Sequence, residues 1–320
     1  MADVSVLITG ICGQDGSYLA EQLLGTGAPL VGMLRPGEVI PPYVETLRAS
    51  GACELVTCDL AEPAEFRLLL RRVEPQRIYH LAAVSRPADC ERQPALSRTV
   101  NVTSVETLLD WVKRDQPEAR VLLASSAAVF GAAAEVPQNE QTPAAPVDEY
   151  GRQKQEIREL AAAARQEGRF VACAIPFNHE SPRRPEHFVV AKVCQAAARI
   201  AAGADEVLRL GNLDVRRDWG YAPEYATALA WMLDIERPVE LVLATGVAHS
   251  VRELAAVAFG QLGLDAEDYV TSSAEFCRDN EAIELRGDVS LAWTELGWEA
   301  VTPFDELIRM MVRAAQDKLS

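Results

Sequence analysis

The sequence lacks an apolar run long enough to cross a bilayer, which argues against a membrane-spanning protein. It also lacks an excess of positive charge, because its formal net charge is -16 and its isoelectric point is near 4.8. This balance argues against a nucleic-acid partner and gives no attraction to anionic membranes. No signal-peptide pattern opens the chain, so we expect a cytoplasmic protein.

The seven cysteines form no Cys-x-x-Cys pair and show no zinc-ligand spacing. Such a scattered, odd-numbered set predicts reduced thiols and no metal site. Internal repeats and low-complexity segments are also missing. The 320 residues, 49% of them apolar, suffice for one large domain or two closely joined ones.

The most informative stretch is an apolar run, residues 121–124, that ends in two serines and precedes a Tyr-x-x-x-Lys pair. The run predicts a buried strand with Ser125 and Ser126 at its C-terminal end. Tyr150 and Lys154 share one face of a predicted helix, where an ammonium beside a phenol should lower the pKa of Tyr150. Ser126, Tyr150 and Lys154 are therefore predicted to move a proton on and off an alcohol. With a nicotinamide alongside, such a group oxidises alcohols and reduces ketones.

A predicted strand, a glycine-rich turn and a predicted helix open the chain. Gly10 would tighten the turn, Gly13 would let the backbone approach a pyrophosphate, and Gly16 would let the helix pack on the strand. The helix N-terminus would offer free N–H groups to the phosphates. The spacing Gly-x-x-Gly-x-x-Gly is typical of extended short-chain dehydrogenases.

The second predicted strand, residues 29–34, is not followed by the carboxylate that would bind an adenosine ribose and select NAD. Arg35 stands there instead, and arginine suits a ribose 2'-phosphate. We therefore expect NADP as the cofactor, with NAD as the alternative.

Strands and helices alternate up to Pro176, which predicts an α/β fold with a Rossmann-type, doubly wound parallel sheet. A dinucleotide would then bind at the C-terminal edge of the strands. We expect residues 1–176 to form the NAD(P)-binding domain. Residues 177–320 would form a smaller C-terminal substrate-binding lobe, with segments within about 205–250 returning to the sheet.

The second half of the chain contains two polar loops and a tail that bring arginines into an otherwise acidic protein. They are Arg183, Arg217 and Arg278. The guanidinium fork matches phosphate oxygens, so an anionic substrate could be bound by these three side chains.

Three motifs resemble the GDP-mannose 4,6-dehydratase branch of the extended short-chain dehydrogenases, and the similarity runs from Leu7 to nearly the C-terminus. The motifs are Gly10-Ile11-Cys12-Gly13-Gln14-Asp15-Gly16, Asn178-His179-Glu180-Ser181-Pro182-Arg183-Arg184 and Arg217-Asp218-Trp219-Gly220. The resemblance implies a nucleotide-sugar substrate, GDP-linked, and bound NADP(H). By the same resemblance, the helices at residues 96–114 and 148–166 are candidates for a homodimer interface.

The resemblance and the residue patterns together predict two sets of binding residues. The cofactor set is Gly10, Cys12, Gly13, Gln14, Asp15, Gly16, Arg35, Asp59, Leu60, Leu81, Ala82, Ala83, Asn101, Ser125, Tyr150, Lys154 and Pro176. The substrate set is Ser85, Ser126, Asn178, Arg183, Lys192, Gly211, Asn212, Arg217, Arg278 and Glu281.

One position departs from the dehydratase pattern. In that branch a glutamate, two residues after the catalytic hydroxyl, removes the proton from carbon-5 so that water can leave from carbon-6. Ala128 stands at this position, and a methyl group cannot act as a base. The run Ser125 to Gly131 instead resembles that of UDP-galactose 4-epimerases.

We therefore expect chemistry at carbon-4 to persist without dehydration, as in a 4-epimerase that passes through a 4-keto sugar. The first alternative is an NADPH-dependent reductase of a 4-keto-6-deoxy sugar, which would use the same residues. A dehydratase with Glu149 or Glu180 as a surrogate base is a further alternative, and so is a non-catalytic nucleotide-binding protein. Asp148 and Glu149 are otherwise expected as ordinary helix-start residues.

Overall fold

The computed structural model describes residues 5–25, 27–277 and 282–319. Two of the predicted substrate residues, Arg278 and Glu281, lie outside the described residues. The strands of the described part are β1 (Val6–Thr9), β2 (Leu30–Leu34), β3 (Cys53–Thr57), β4 (Arg77–His80), β5 (Arg120–Ala124), β6 (Val171–Pro176), β7 (Asn178–Glu180), β8 (Leu208–Leu210), β9 (Arg216–Tyr221), β10 (Glu240–Leu243), β11 (Ala248–Ser250), β12 (Val270–Ser272) and β13 (Glu284–Leu285).

The helices connect these strands and cover the faces of the main sheet. They are α1 (Gln14–Leu24), α2 (Pro42–Ala49), α3 (Pro63–Val73), α4 (Pro87–Arg92), α5 (Pro94–Arg98), α6 (Ser104–Asp115), α7 (Glu149–Gln166), α8 (Val189–Ala201), α9 (Ala222–Trp231), α10 (Val251–Gly260), α11 (Ser290–Leu296) and α12 (Phe304–Asp317). Within the described residues, no helix is both long enough and apolar enough to cross a membrane.

The main sheet has seven strands in the order β10-β6-β5-β4-β1-β2-β3. All neighbouring pairs are parallel. Successive strand residues enter different cores: Leu7 and Val121 pack with α3, α6 and α7, whereas Ile8 and Leu122 pack with α1 and α9. This two-residue period explains why the strands are apolar throughout. The predicted Rossmann-type, doubly wound parallel sheet is confirmed.

The C-terminal part of the chain builds its own core beside the sheet. Helices α8, α10 and α12 pack together around Trp219 of β9. Strand β9 pairs with β7, β11 and β13 in a second, smaller sheet. Strand β10, although it comes from this half of the sequence, occupies the edge of the main sheet next to β6.

The helix predicted for residues 96–114 is interrupted. Helix α5 passes into a π-helical turn, Thr99–Thr103, before α6 begins. The turn directs the buried Asn101 side chain at Val84, whose N–H donates to Asn101 Oδ1 over 2.8 Å. The apolar periodicity of residues 96–114 does not reveal this change of register, because it concerns only one turn.

Asp218 of β9 joins the two sheets. Its side chain is fully buried. Oδ1 accepts from the Thr245 N–H at 2.8 Å, and Oδ2 accepts from the N–H groups of Gly246 and Gly287 at 2.9 and 3.3 Å. Burial raises the pKa of Asp218, and these donors offset part of the increase. Three separate segments therefore meet at one carboxylate.

A second connection links the glycine-rich turn to β7. Asp15 Oδ1 lies 2.9 Å from His179 Nε2, and Gln14 Nε2 donates to the His179 carbonyl over 2.9 Å. Ser181 Oγ donates to Gln14 Oε1 over 2.8 Å. The His179 ring also stacks on Tyr225, with 4.6 Å between centroids. The side chains of Gln14 and Asp15 thus bind the C-terminal lobe, and the expectation that these two residues also bind the cofactor stays a prediction.

We expect Gly287→Ala to destabilise the junction between the two sheets. An added Cβ would lie 2.4 Å from the Ala244 Cβ, which cannot rotate away, and 2.9 Å from Val242 Cγ1. The expected loss is about 1–3 kcal/mol of unfolding free energy, measured by urea denaturation. Gly260→Ala in α10 is the control, because nothing lies within 4 Å of its added Cβ. Equal stability of the two variants would contradict this account.

The Asp15–His179 pair should make stability depend on pH. Burial alone would raise the pKa of Asp15, but His179 brings it down to about 2. Burial alone would lower the pKa of His179, but Asp15 holds it above its ordinary value. The Asp15 contribution is complete above its ordinary pKa and is lost as the pH falls towards 2, whereas the His179 contribution is complete below its ordinary pKa and is lost as the pH rises through the elevated value.

We therefore expect the Tm difference between the wild type and His179→Gln to be largest between about pH 4 and 6.5. The difference should narrow as the pH rises to about 9, because the wild type then loses the charge on His179. When Asp15 is also replaced by Asn, the Tm difference caused by His179→Gln should no longer narrow as the pH rises. A difference that stays constant across this range would show that stacking on Tyr225, rather than the ion pair, accounts for the role of His179.

Candidate active site

The C-terminal end of β5 supplies two serines with different roles. Ser125 Oγ donates to the Lys154 carbonyl over 2.9 Å and is buried, so it ties the strand to α7. Ser126 caps a short 3-10 turn, and its Oγ accepts from the Ala128 N–H at 3.3 Å. The Ser126 hydroxyl also opposes the rise in the pKa of the Tyr150 phenol. Ser126 is thus the serine that faces the phenol.

Helix α7 begins where it does because Asp148 caps it, accepting from the Gly151 N–H at 2.7 Å. Gly151 lets this first turn approach the β5 end closely, since an added Cβ would lie 2.7 Å from the Ala128 carbonyl oxygen. Tyr150 is consequently held beside Ser126. The expectation that Asp148 is an ordinary helix-start residue is confirmed.

The predicted effect of Lys154 on Tyr150 is wrong in this structure. Burial raises the pKa of Tyr150 to about 12, although the hydrogen bond with Ser126 and the charge of Arg184 oppose the increase. The Lys154 ammonium instead donates to the Ala124 carbonyl over 2.6 Å and lies 5.6 Å from the centre of the Tyr150 ring. Burial also lowers the pKa of Lys154 to about 8.

Asn101 supports this helix. Its Nδ2 donates to Gln153 Oε1 over 2.7 Å and to the Val84 carbonyl over 3.1 Å. Gln153 in turn donates to Ser97 Oγ over 2.9 Å. The amide of Asn101 is thus engaged by protein on both sides, and its role in cofactor binding stays a prediction.

The glycine-rich turn has the shape that a pyrophosphate needs. Gly10 has a φ of +73°, and an added Cβ would lie 2.9 Å from Ala82 Cα. An added Cβ at Gly16 would lie 2.4 Å from the Gly10 carbonyl oxygen, so the helix lies directly on the turn. Gly13 is the N-cap of α1 and provides no side-chain cap. The N–H groups of the first turn thus meet the requirement for binding a phosphate.

Other members of the predicted cofactor set line the same edge of the sheet or support it. The N–H groups of Leu81 and Ala82 donate to Thr9 Oγ1 over 3.0 and 3.1 Å, which holds β4 against β1. Asp59 Oδ1 accepts from the Ala61 N–H at 2.8 Å. The Leu60 side chain is buried with α3, and its role in cofactor binding stays a prediction. The remaining members at or near strand ends are Ala83, Pro176 and the exposed Arg35, and Ser85 of the substrate set also follows β4.

Several predicted substrate residues gather around the segment that precedes residue 278. Lys192 Nζ donates to the Arg209 carbonyl over 3.1 Å and lies 5.0 Å from the centre of the Phe276 ring. An added Cβ at Gly211 would lie 2.5 Å from the Phe276 carbonyl oxygen. Further along the chain, the Ala282 carbonyl accepts a hydrogen bond from Arg217 Nη1 over 3.0 Å.

Two further members of the predicted substrate set, Asn212 and Asn178, lie in a turn and at the start of a strand. Asn212 Oδ1 accepts from the Asp214 N–H at 2.9 Å and so shapes its own turn. Asn178 is partly buried and opens β7, opposite Trp219 of β9.

Arg183 does not join the other predicted substrate residues. Its guanidinium lies between the rings of Tyr18 and Tyr43, 3.8 and 4.2 Å from their centres. It donates to Ser17 Oγ over 3.0 Å and to Glu21 over 2.5 Å. The Arg183 side chain thus binds α1, and its role in substrate binding stays a prediction.

The neighbouring Arg184 is the residue that sequence analysis missed. Its charge helps to oppose the rise in the pKa of Tyr150 and in that of Glu180. Arg184 Nε lies 3.1 Å from Glu180 Oε2, and the guanidinium covers the Phe188 ring at 3.5 Å. The sequence does not distinguish Arg183 from Arg184. Only the fold places the charge of Arg184 where it affects the pKa of Tyr150.

Neither proposed surrogate base is free. Glu149 accepts from Gln153 Nε2 at 3.0 Å and from Arg152 Nε at 3.1 Å. Glu180 is 1% exposed and is paired with Arg184. Ala128, at the position of the dehydratase base, is partly buried beside Ser126. Both proposed surrogate bases are thus engaged by other side chains, and Ser126 and Tyr150 stay the predicted acid–base residues.

Comparison with known proteins agrees with the motifs. The family model for GDP-mannose 4,6 dehydratase matches residues 7–311. GDP-mannose 4,6 dehydratase 2 of Arabidopsis thaliana is 36% identical over 318 residues, covering 96% of this chain and 85% of that protein. The human GDP-mannose 4,6 dehydratase is 34% identical over 335 residues, covering 96% of this chain and 90% of that protein.

Among solved structures, UDP-glucose 4-epimerase of Thermotoga maritima aligns with a TM-score of 0.87 over 99% of this chain and 100% of its own. Its sequence identity is 20%, so the likeness shows the shared fold. The family model covers most of this chain, and the plant and human proteins are 36% and 34% identical to it. The chain belongs to the GDP-mannose 4,6 dehydratase family, whose members are nucleotide-sugar enzymes of the short-chain dehydrogenase/reductase type.

Proposed function

We propose that this protein is a nucleotide-sugar 4-epimerase that acts on a GDP-linked sugar through a transient 4-keto sugar. One observation carries the proposal. Tyr150 lies close enough to Ser126 for that hydroxyl to oppose the rise in the pKa of the phenol, and Lys154 is near, whereas the position of the carbon-5 base is held by Ala128. The residues for chemistry at carbon-4 are present, and the residue for elimination of water is replaced.

In the forward step, Tyr150 takes the proton of the carbon-4 hydroxyl, and Ser126 holds that oxygen through its own hydroxyl. A bound nicotinamide would accept the hydrogen on carbon-4 as hydride and later return it. After the sugar turns over, Tyr150 gives the proton back to the carbonyl oxygen. A phenol with a pKa raised to about 12 is protonated at neutral pH and suited to that second role. The cofactor ends the cycle unchanged and need not leave.

Dehydration needs a base close to carbon-5, and the described carboxylates nearby do not provide one. Glu149 lies along its own helix, bound to Gln153 and Arg152. Glu180 is buried, and burial raises its pKa. The family membership establishes the scaffold, while the residue at position 128 favours the epimerase within it.

A nicotinamide dinucleotide fits the glycine-rich turn, where Gly10, Gly13 and the uncapped start of α1 could hold the pyrophosphate. The choice between NADP, which Arg35 favours, and NAD depends on the side chains that follow β2. Lys192 and Arg217 could hold the nucleotide diphosphate. The homodimer and the cytoplasmic location stay predictions.

The proposal predicts that the purified protein converts a GDP-hexose without added cofactor into a sugar of unchanged mass with its carbon-4 proton inverted. Proton NMR and mass spectrometry on GDP-, UDP-, CDP- and dTDP-hexoses would detect this product. Tyr150→Phe should lower turnover by about a hundredfold or more, because it removes the acid–base group, and should leave dinucleotide binding intact. Loss of water from the substrate would contradict the proposal. Reaction only with a 4-keto sugar and NADPH would identify a reductase.

We expect Ala128→Glu to introduce dehydration into the same site, because it restores a carboxylate two residues after Ser126. The product would be a 4-keto-6-deoxy sugar, lighter by one water, detected by mass spectrometry. Ala128→Gln is the matched control, since an amide of the same size cannot act as a base and should give no such product. If both variants keep wild-type products, the residue at position 128 does not decide between the two reactions.

A further inference from the structure

A tight turn follows β2 and reverses the chain. Pro36 occupies its second position and Gly37, with a φ of +72°, its third, as a type II turn requires. The Glu38 N–H donates to the Arg35 carbonyl over 3.2 Å and closes the turn. The Glu38 carboxylate folds back in the same direction, and its Oε2 accepts from the Arg35 N–H at 3.1 Å. A carboxylate from four residues beyond Leu34, the last residue of β2, is thus held at the strand end.

That strand end lies directly beside the glycine-rich turn. The N–H groups of Gly10 and Ile11 donate to the Met33 carbonyl over 3.0 and 3.3 Å. Glu38 is close enough to the turn for its charge, together with the larger effect of burial, to raise the pKa of the Cys12 thiol to about 11. In a Rossmann-type fold, the adenosine ribose of the dinucleotide falls between the first turn and the end of the second strand.

We infer that Glu38 binds the 2'- and 3'-hydroxyls of the adenosine ribose and makes this protein select NAD over NADP. The inference rests on the proposed function for the presence of a bound dinucleotide. It goes beyond that function because it assigns the residue that selects NAD over NADP. A carboxylate accepts hydrogen bonds from ribose hydroxyls and repels a 2'-phosphate. The position directly after β2 is Arg35, so the sequence pattern shows no carboxylate there. The turn brings the Glu38 carboxylate back to that position.

The cations near this position do not outweigh Glu38. The Arg35 side chain is exposed, and its backbone N–H is the group that holds the Glu38 carboxylate. Arg183, on the other side of the turn, is bound to Glu21 and lies between two tyrosine rings. A 2'-phosphate would therefore meet the exposed Arg35 guanidinium and the Glu38 carboxylate that is held at the strand end.

The test is calorimetric titration of the full-length protein, freed of any co-purified dinucleotide, with NAD+ and NADP+. We expect NAD+ to bind about tenfold or more tightly than NADP+, since each charge-assisted hydrogen bond contributes that much. Glu38→Gln keeps an oxygen that can accept from the Arg35 N–H but removes the charge. It should weaken NAD+ binding and strengthen NADP+ binding, so that their ratio falls by about tenfold. Glu62→Gln, an exposed residue after β3, is the matched control for loss of one negative charge and should leave the ratio unchanged.

Tighter binding of NADP+ by the wild type, an unchanged ratio in Glu38→Gln, or binding of neither dinucleotide would overturn the inference. If Arg35→Ala weakens NADP+ binding while Glu38→Gln changes neither affinity, Arg35 is the selecting residue. The proposed epimerase activity can fail separately. In that case the wild type binds NAD+ with the expected ratio, yet no sugar in the NMR panel is inverted at carbon-4.

Discussion

The site depends on the junction between the end of β5 and helix α7. Two hydrogen bonds cross it in opposite directions, from Ser125 Oγ to the Lys154 carbonyl and from the Lys154 ammonium to the Ala124 carbonyl. Both are made by buried groups, so loss of either partner would leave an unsatisfied polar atom in the core. The junction fixes the helix against the strand and thereby brings Tyr150 to Ser126.

The hydrogen bonds that position the Tyr150 phenol are therefore not the interactions that set its pKa. Lys154 was expected to act on Tyr150 by charge, but its ammonium is directed at the strand, and burial dominates the pKa of both side chains. The cation that opposes the rise in the pKa of Tyr150 is Arg184, which belongs to the C-terminal lobe. The pKa of Tyr150, the proposed acid–base residue, thus depends in part on the C-terminal lobe.

The same lobe is tied to the dinucleotide side of the molecule. Asp15 and Gln14 of the glycine-rich turn bind His179 and Ser181, and Asp218 gathers three segments at one buried carboxylate. The side chain of Ala128 takes no part in these contacts. Under the proposed function, the reaction would therefore differ from dehydration while the fold stays the same.

The sequence by itself determined the parallel sheet, since strands buried on both faces must be apolar throughout and the glycine spacing marks the first turn. It also determined the presence of Ser126 and Tyr150 and the absence of a base at position 128, because these follow from residue identity alone. The tertiary structure alone decided that Ser126 and Tyr150 meet, that the charge of Arg184 acts on the pKa of Tyr150, that Asn101 is engaged by Val84 and Gln153, and that Glu38 returns to the end of β2. Such contacts join residues far apart in the chain or reversed by a turn, and a one-dimensional pattern contains no information about where a side chain points.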